Sequence, residues 1–344
     1  MPGVVWPAIA GPDDATFLAL QYQLQQTQWL SASRLRELQF RQLTALLPHA
    51  YETVPYYRWQ WHGAYESGIA LTPEGFERLP LLRRTDLQQN PDALKSSAPP
   101  PAHGAVVESR TPGSTGIPVF TLKTALTGLW WRALTLRDHL WHRRDFSGKL
   151  AAIRRGVENG EFEGWGPSTD VLATGRSATL ALPADPDTQL EWLVRYDPDY
   201  LLTYPSNAAE LARISFAREL RYPRLREVRT FGELLSEDTR ELCRRAWNVR
   251  VTDLYSCDEA GYVALQCPER EHYHVQSESV LVEVLDEQGK ACAPGAVGRI
   301  VITTLQNFAM PLIRYDIGDL AELGAPCPCG RGLPVIRRFA GRVG

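Results

Sequence analysis

The sequence predicts an α/β protein in which a mainly helical region precedes a parallel sheet and a β-rich C-terminal region. Three observations lead to this class. Leucines recur at helical spacing near the N-terminus, strands alternate with helices in the middle, and short apolar runs separated by a polar turn follow from about residue 273. The corresponding regions are residues 1–100, 101–265 and 266–344.

Composition places the chain among ordinary globular proteins. It has 344 residues, of which 44% are hydrophobic and 22% charged, so it can bury a large core. A net charge of −3 argues against a nucleic-acid partner. No apolar run is long enough to span a membrane, and the N-terminus lacks the pattern of a signal peptide. Six cysteines are too few for a disulfide scaffold, and we therefore expect a cytoplasmic protein.

The first third of the chain predicts helices and a linker. Apolar spacing indicates helix over residues 15–50, which we expect Pro48 and Pro55 to end. The run "SSAPPP", residues 96–101, cannot hold a regular element and is typical of a linker. A Leu- and Trp-rich segment, residues 124–142, is a further helix.

The middle of the chain alternates between strands and helices. Strands are predicted over residues 200–204, 226–231 and 249–255. Ser206 is expected to cap the helix after the first strand, and Ser236 the helix after the second. This alternation predicts a parallel sheet with helical crossovers.

The C-terminal region predicts antiparallel β structure with one unusual polar segment. Residues 280–285 and 298–305 are apolar strands on either side of a polar turn. The segment "PLIRYDIGD", residues 311–319, allows two interpretations. One is a charged hairpin with an Asp316–Arg314 pair. The other is a carboxylate that accepts hydrogen bonds from vicinal hydroxyls, such as those of a ribose.

Polar clusters follow each of the three predicted parallel strands. They are "TYPS", "FGELLS" and "YSCDEAG". Open parallel sheets bind ligands beyond the carboxyl ends of their strands. A glycine after a strand is more often only a turn, and Glu259 alone is more often a solvated acid. Three clusters at successive strand ends nevertheless favour a binding site.

Taken in order, the motifs resemble those of the adenylate-forming enzymes. They are "RTPGSTGIP", "TYPSNAAELA", "FGELL", "YSCDEAG", "ALQC", "VITTL", "MPLIRYDIGDLAEL" and "CPCGRGLP". The segments "AYETVPYYR" and "LPLLRRTDLQ" are similar to the N-terminal pattern of the phenylacetate–CoA ligase branch. The resemblance covers roughly residues 33–342. It implies the family's large N-terminal domain, with parallel sheets flanked by helices plus a β-rich subdomain, and without the small C-terminal domain.

The resemblance also implies an activity. Family members join a carboxylic acid to AMP with release of pyrophosphate, and many then transfer the acyl group to coenzyme A. We therefore expect ATP, Mg²⁺ and coenzyme A, or another acceptor such as a carrier-protein thiol. The expected acid is aryl or arylalkyl, and a homodimer is compatible with the family. Such chemistry asks the protein mainly to position groups and neutralise charge.

Site residues are carried over from the resemblance position by position. The expected nucleotide-binding residues are Gly113, Ser114, Thr115, Gly116, Gly232, Glu233, Tyr255, Ser256 and Asp319. The first four would surround the phosphates, and Asp319 would bind the ribose. Glu259 would hold Mg²⁺ and Arg342 would lie at the hinge to the small domain. Tyr204, Phe231 and Cys257 are the expected substrate contacts.

Several positions depart from the family pattern. Ile117 stands where many members have a lysine, so the loop lacks a point charge for pyrophosphate. Ser256 replaces a usual glycine, and Asp258 adds a second carboxylate beside Glu259. The chain also stops at Gly344, where the hinge to the small domain is expected. A catalytically impaired, ligase-derived binding or scaffold protein is therefore the alternative interpretation.

Cysteines of the last third suggest a structural zinc site. Cys327 and Cys329 form a thiolate pair on a turn, and Cys267 precedes two histidines, His272 and His274. Three cysteines and one histidine would give a closed tetrahedral zinc site. We choose His274 because some relatives have a histidine at the matching position. Reduced thiols without a metal are the alternative.

Overall fold

The computed structural model describes residues 9–110 and 118–342. These residues form two compact units that alternate along the chain. The first unit comprises residues 9–19, 132–256 and 265–271. The second unit comprises residues 20–110, 118–131, 257–264 and 272–342. The three-region division at residues 100 and 265 stays a prediction.

Helices occur mainly in the N-terminal and middle parts of the described chain. The α-helices are α1 (Pro12–Thr27), α2 (Ala32–Thr53), α3 (Pro55–Gln60), α4 (Pro73–Glu77), α5 (Arg84–Gln89), α6 (Ala125–Trp141), α7 (Pro186–Tyr196), α8 (Pro205–Ala217) and α9 (Glu237–Trp247). Short 3₁₀ turns lie at Asp92–Leu94 and Pro101–His103. No described helix is long and apolar enough to cross a membrane.

Strands dominate the last third of the chain. They are β1 (Leu82–Arg83), β2 (Val106–Arg110), β3 (Phe120–Thr124), β4 (Leu150–Arg154), β5 (Gly160–Phe162), β6 (Ser177–Ala181), β7 (Tyr200–Thr203), β8 (Glu227–Phe231), β9 (Arg250–Cys257), β10 (Gly261–Gln266), β11 (Tyr273–Val275), β12 (Val280–Leu285), β13 (Val297–Thr304), β14 (Tyr315–Leu323) and β15 (Val335–Arg342).

The N-terminal helical prediction is confirmed in kind but wrong at its boundaries. The predicted segment is two helices, α1 and α2, and α2 begins at an N-cap formed by Ser31. Pro48 lies inside α2, whereas the end predicted at Pro55 is confirmed, because α2 ends at Thr53 and Pro55 then starts α3. Leu43 and Leu47 before the proline and Ala50 after it are buried on one face of α2, and this packing stabilises the helix across Pro48 because it outweighs local preference. The absence of a regular element predicted for residues 96–101 is confirmed as far as Pro100, where a 3₁₀ turn begins at Pro101, but the segment lies inside the second unit.

The first unit contains the predicted parallel sheet. Strands β9, β8, β7, β4 and β6 lie side by side in that order and run parallel, and β5 adds an antiparallel edge. Leu201 and Val228 of the sheet and Leu211 of α8 are buried in one core cluster. The helical crossovers are α8 and α9, so the predicted alternation is confirmed.

One of the two predicted helix caps is correct. Ser236 caps α9, because its hydroxyl accepts the Thr239 N–H at 3.1 Å. The cap predicted at Ser206 is wrong. Tyr204 is the N-cap residue of α8, and Pro205 occupies the first helical position, where a missing N–H costs nothing.

The second unit contains an antiparallel sheet. Strands β12, β13, β14, β15 and β11 follow one another, and β1 pairs in parallel with β14. The suggested Asp316–Arg314 pair is wrong. Arg314 has a φ of 50°, and its guanidinium forms a buried pair with Glu283 at 2.9 Å. Asp316 pairs instead with Arg299 at 3.2 Å.

Candidate functional site

In the first unit, aromatic residues gather at the carboxyl ends of the parallel strands. Register pairs Thr203 with Thr230 and Phe231 with Leu254, so the ends of β7, β8 and β9 lie at one edge. The rings of Tyr204 and Phe231 lie 4.6 Å apart between centroids and are tilted by 35°. This pair provides an apolar, partly exposed aromatic surface at the edge where ligands of such sheets bind.

Gly232 and Glu233 continue this edge. Gly232 has a φ of 76°, and a Cβ at this position would lie 3.3 Å from the Tyr204 ring. Glycine therefore permits both the turn and the close approach of the ring. The Glu233 carboxylate accepts the Ser206 N–H at 3.0 Å, at the positive end of the α8 dipole.

A cation that the sequence did not single out lies at the same edge. Arg155 follows β4 directly, and its guanidinium is 5.6 Å from the centroid of the Tyr204 ring. Its position after the apolar segment "LAAI" is the feature of the sequence that could have identified it as a site residue. Tyr255 and Ser256, near the end of β9, are half-buried. The edge thus combines aromatic faces with one positive charge.

In the second unit, Glu259 is buried and paired. Its Oε1 atom lies 3.0 Å from Arg84 Nη1 and accepts a hydrogen bond from the Tyr315 hydroxyl at 3.4 Å. Burial, and then the charge of Glu259, raises the pKa of Tyr315, so this hydroxyl keeps its proton. Within the part of the chain that the structure describes, Glu259 Oε2 makes no hydrogen bond.

Arg84 is a second site residue that sequence reasoning missed. It begins α5 directly after β1, and β1 pairs in parallel with β14 in a register that sets Leu82 opposite Tyr315. That register brings the Arg84 side chain to Glu259. In the sequence, Arg84 belongs to the segment "LPLLRRTDLQ", which indicated the family but assigned no function to any single residue.

Cys257 shares its surroundings with two of the expected site carboxylates. Burial raises the pKa of this half-buried thiol well above its usual value, and the charges of Glu259 and Asp319 add to the shift. The structure therefore places Cys257, Glu259 and Asp319 near one another. A thiol held in this protonated form does not act as a thiolate nucleophile.

Asp319 and Arg342 face each other across neighbouring strands. They are register partners in β14 and β15, and Arg342 Nε donates to Asp319 Oδ1 at 2.6 Å. The carboxylate expected at a ribose and the arginine expected at a hinge are thus joined by a charge-assisted hydrogen bond. Spacing in the sequence did not indicate this contact.

The expected phosphate loop, Gly113 to Gly116, lies outside the described residues. The strands on either side of it are described. β2 and β3 pair in antiparallel fashion and end with Arg110 opposite Phe120. The Arg110 guanidinium lies 5.1 Å from the centroid of the Phe120 ring. A positive charge therefore stands where the chain leaves β2.

The four residues expected at a metal come together. Ligand atoms of Cys267, His274, Cys327 and Cys329 all lie within 4.8 Å of one another. His274 is fully buried, its Nδ1 atom is 3.4 Å from the Leu333 carbonyl oxygen, and its Nε2 atom is 3.4 Å from Cys329 Sγ. A carbonyl at Nδ1 leaves Nε2 as the metal-binding nitrogen.

The charge state of the cysteine pair suits a metal. Burial opposes ionisation of Cys329, but hydrogen bonds from Arg331 and Cys327 outweigh it and lower the pKa of that thiol. The Cys329 N–H donates to Cys327 Sγ at 3.4 Å. Three sulfurs and one imidazole in a closed, buried group are the donors that tetrahedral Zn²⁺ prefers. These residues can therefore hold a structural zinc ion.

Comparison with curated proteins finds relatives over most of the chain. It is 30% identical over 325 residues to the phenylacetate-coenzyme A ligase of Thermus thermophilus, covering 88% of this chain and 69% of that protein. It is 25% identical over 307 residues to the phenylacetate-coenzyme A ligase of Escherichia coli K12, covering 85% of this chain and 68% of that protein. No protein-family profile matches the chain.

Comparison with solved structures supports the same architecture. A 2-hydroxyisobutyryl-CoA ligase, in complex with 2-HIB-AMP and CoA, superposes with a TM-score of 0.74 at 21% identity. The superposition covers 92% of this chain and 70% of that one. An open conformation of the same ligase gives a TM-score of 0.73. At this identity the likeness establishes the fold, and the predicted α/β architecture is confirmed.

Proposed function

The chain belongs to the phenylacetate–CoA ligase family, and we propose that it activates an aryl or arylalkyl carboxylic acid with ATP and passes the acyl group to coenzyme A. In the first step a carboxylate oxygen attacks the α-phosphorus of ATP, and pyrophosphate leaves. In the second step a thiolate attacks the acyl carbon, and AMP leaves. A carrier-protein thiol is the other acceptor compatible with the proposal.

One observation supports this function most strongly. Glu259 is buried directly after the end of β9, where Arg84 pairs with one of its oxygens, and the charges of Glu259 and Asp319 both act on the Cys257 thiol. Keeping a negative charge at that position has a purpose if a cation and a ribose bind there. The aromatic pair of Tyr204 and Phe231 at the ends of β7 and β8 supplies surface for an aryl group or a base.

We assign the remaining roles in the same way. Gly232 lets backbone approach the ligand, and Glu233 is held at the start of α8. Tyr255 and Ser256 flank the nucleotide, and Asp319 accepts hydrogen bonds from ribose hydroxyls, for which Arg342 must release it. The loop of Gly113, Ser114, Thr115 and Gly116 binds phosphate through its amides and hydroxyls.

Glu259 is the residue that would hold Mg²⁺. Its Oε1 atom is bound by Arg84 and Tyr315, whereas Oε2 is available to a hard cation. The ion would neutralise negative charge on the phosphates when bound. Arg84 Nη1 lies 3.0 Å from Glu259 Oε1, so a positive charge already stands beside this buried carboxylate before any nucleotide binds.

A structural Zn²⁺ held by Cys267, His274, Cys327 and Cys329 is a separate part of the proposal. The turn that carries two of the cysteines is fixed to the chain between α1 and α2, because the Gly332 N–H donates to the Gln28 carbonyl at 3.0 Å. Zinc would thus stabilise the attachment of that turn. A cytoplasmic location, where thiols stay reduced, and a homodimer complete the proposal.

Acid-dependent exchange of labelled pyrophosphate into ATP tests the function. We expect exchange with at least one acid of an aryl and arylalkyl panel, and acyl-CoA formation when coenzyme A is added. Glu259→Gln should abolish exchange, whereas Glu287→Gln, on an exposed turn, should leave it unchanged. Absence of exchange with every acid, in protein that still binds ATP, would refute the ligase and favour the ligase-derived binding protein.

That second function rests on Ile117, since the loop then lacks the lysine charge that many relatives carry. The Ile117→Lys variant separates the two. If the protein is an active ligase, lysine changes the rate of exchange only modestly. If it is an impaired ligase, exchange appears only in the variant.

A further inference from the structure

The strand ends of the first unit carry a positive charge to which the proposed reaction gives no role. Arg155 follows β4 directly, and β4 pairs in parallel with β7 in a register that sets Ala152 opposite Leu202. The carboxyl end of β4 therefore lies beside that of β7, which Tyr204 follows. The Arg155 guanidinium is 5.6 Å from the centroid of the Tyr204 ring, so the charge lies at the aromatic pair that this ring forms with Phe231.

Hydrogen bonds on either side of Arg155 fix its backbone. Before it, the Arg154 carbonyl oxygen accepts the Leu182 N–H at 3.0 Å. After it, the Glu158 carbonyl oxygen accepts the Thr179 hydroxyl at 2.6 Å. The attraction between the guanidinium and the tyrosine ring adds to this by orienting the side chain over the sheet edge. The charge is thus positioned before any ligand binds.

No carboxylate balances this charge within the part of the chain that the structure describes. Arg155 is exposed, and its guanidinium forms neither an ion pair nor a hydrogen bond with any described residue. Neighbouring acids are engaged elsewhere, since Glu163 pairs with Arg176 at 3.2 Å and Glu233 accepts the Ser206 N–H at 3.0 Å. A guanidinium has five N–H donors in one plane, and a ring below that plane leaves them available to an oxyanion.

We propose that Arg155 binds a second anionic group of the acid, and that the substrate is an aryl or arylalkyl dicarboxylate. This inference rests on the proposed ligase function and names the substrate class of the same site. The aryl body packs against Tyr204 and Phe231, and the remote carboxylate accepts two parallel N–H bonds from the Arg155 guanidinium. The reacting carboxylate does not bind there, because a bidentate pair with arginine would weaken the oxygen that attacks the α-phosphorus.

Three acids that differ in one ring substituent test the inference. They are 4-carboxyphenylacetate, its neutral amide 4-carbamoylphenylacetate, and 4-methylphenylacetate, and the 3-substituted series is measured in the same way. Calorimetry on the full chain should show that the dicarboxylate of at least one series binds about tenfold or more tightly than its amide, since hydrogen bonds between two charged groups are the stronger ones. Equal binding of dicarboxylate and amide in both series would overturn the inference, because the guanidinium would then be only a solvated surface charge.

Variants at one exposed position locate the contact. Arg155→Gln should bring the affinity ratio of dicarboxylate to amide to about one, and Arg155→Lys should restore part of it, because lysine keeps the charge without the planar fork. Arg154→Gln removes the same charge from the adjacent exposed side chain at the end of β4, and this matched control should keep the ratio of the wild type. If Arg155→Gln weakens all three acids by one factor, the guanidinium binds the reacting carboxylate and the inference is wrong.

Phosphate groups of AMP and coenzyme A are the other oxyanions of the proposed reaction. A loss of affinity for either of them in Arg155→Gln, as large as the loss for the dicarboxylate, would assign the guanidinium to a phosphate and overturn the inference. Pyrophosphate exchange separates this outcome from failure of the proposed function. Exchange with 4-methylphenylacetate but without a dicarboxylate preference that depends on Arg155 refutes the inference alone. Exchange with none of the acids refutes the ligase, whereas a preference that depends on Arg155 in calorimetry still supports the assigned contact.

Discussion

Replacing Arg144 with methionine should destabilise the first unit strongly. The Arg144 side chain is 1% exposed and lies 2.7 Å from Asp138 and 2.6 Å from Glu227, both of which are buried. The methionine fills much of the same space but leaves two buried carboxylates without their shared cation. Arg229 still pairs with Asp138 at 2.5 Å, so the loss of the Arg144 charge destabilises Glu227 more than Asp138.

The expected magnitude follows from this geometry. Breaking a buried ion pair by removing one partner costs about 3–5 kcal/mol, whereas an exposed pair is worth less than about 1 kcal/mol. With a denaturant slope of about 3 kcal/mol/M, the urea midpoint should fall by about 1–1.7 M. Arg176→Met is the matched control, because the Arg176–Glu163 pair is largely exposed, and its midpoint should hardly change.

The pH dependence gives an independent check. Burial would raise the pKa values of Asp138 and Glu227, but Arg144 lowers both below their usual values. Such carboxylates stabilise the fold above their unfolded pKa of about 4, and this stability is lost as the pH falls through the folded pKa. In the variant both pKa values rise, so the deficit in the free energy of unfolding should be largest near neutral pH and shrink towards pH of about 5.

Urea unfolding followed by circular dichroism measures this free energy. Adding Glu227→Gln to Arg144→Met should recover part of the loss, since the stranded charge is then removed. A loss smaller than about 1 kcal/mol in the single variant, or no recovery in the double variant, would refute the assignment of a buried ionic cluster.

Three further outcomes are expected. Cys329→Ser should lower bound zinc from about one ion per chain to none by elemental analysis, and a wild-type protein purified without zinc would contradict the site. Gly332→Ala should lower the melting temperature, because a Cβ there would lie 1.7 Å from the Leu30 carbonyl oxygen; an unchanged temperature would refute that contact. Cys257 should react with iodoacetamide more slowly than free cysteine at mildly alkaline pH, since the pKa of its thiol is raised. Fast modification of Cys257, detected by mass spectrometry, would contradict this.

Local signals in the sequence were sufficient for the alternation of strands and helices from β7 to β9 and for the ends of those strands. Short apolar runs predicted β7, β8 and β9, and the preference of hydroxyl residues for N-caps predicted the cap at Ser236. Pro48 and Ser206 were misjudged, because burial of one face of α2 and the proline at the start of α8 outweighed local preference.

The sequence by itself determined which residue types stand at the ends of the strands, and with them the family. Only the tertiary structure decided the pairings, such as Arg84 with Glu259 and Asp319 with Arg342. Those partners are far apart along the chain and depend on the register of β1 against β14 and of β14 against β15. Register is set by packing over whole strands, so no local pattern contains it.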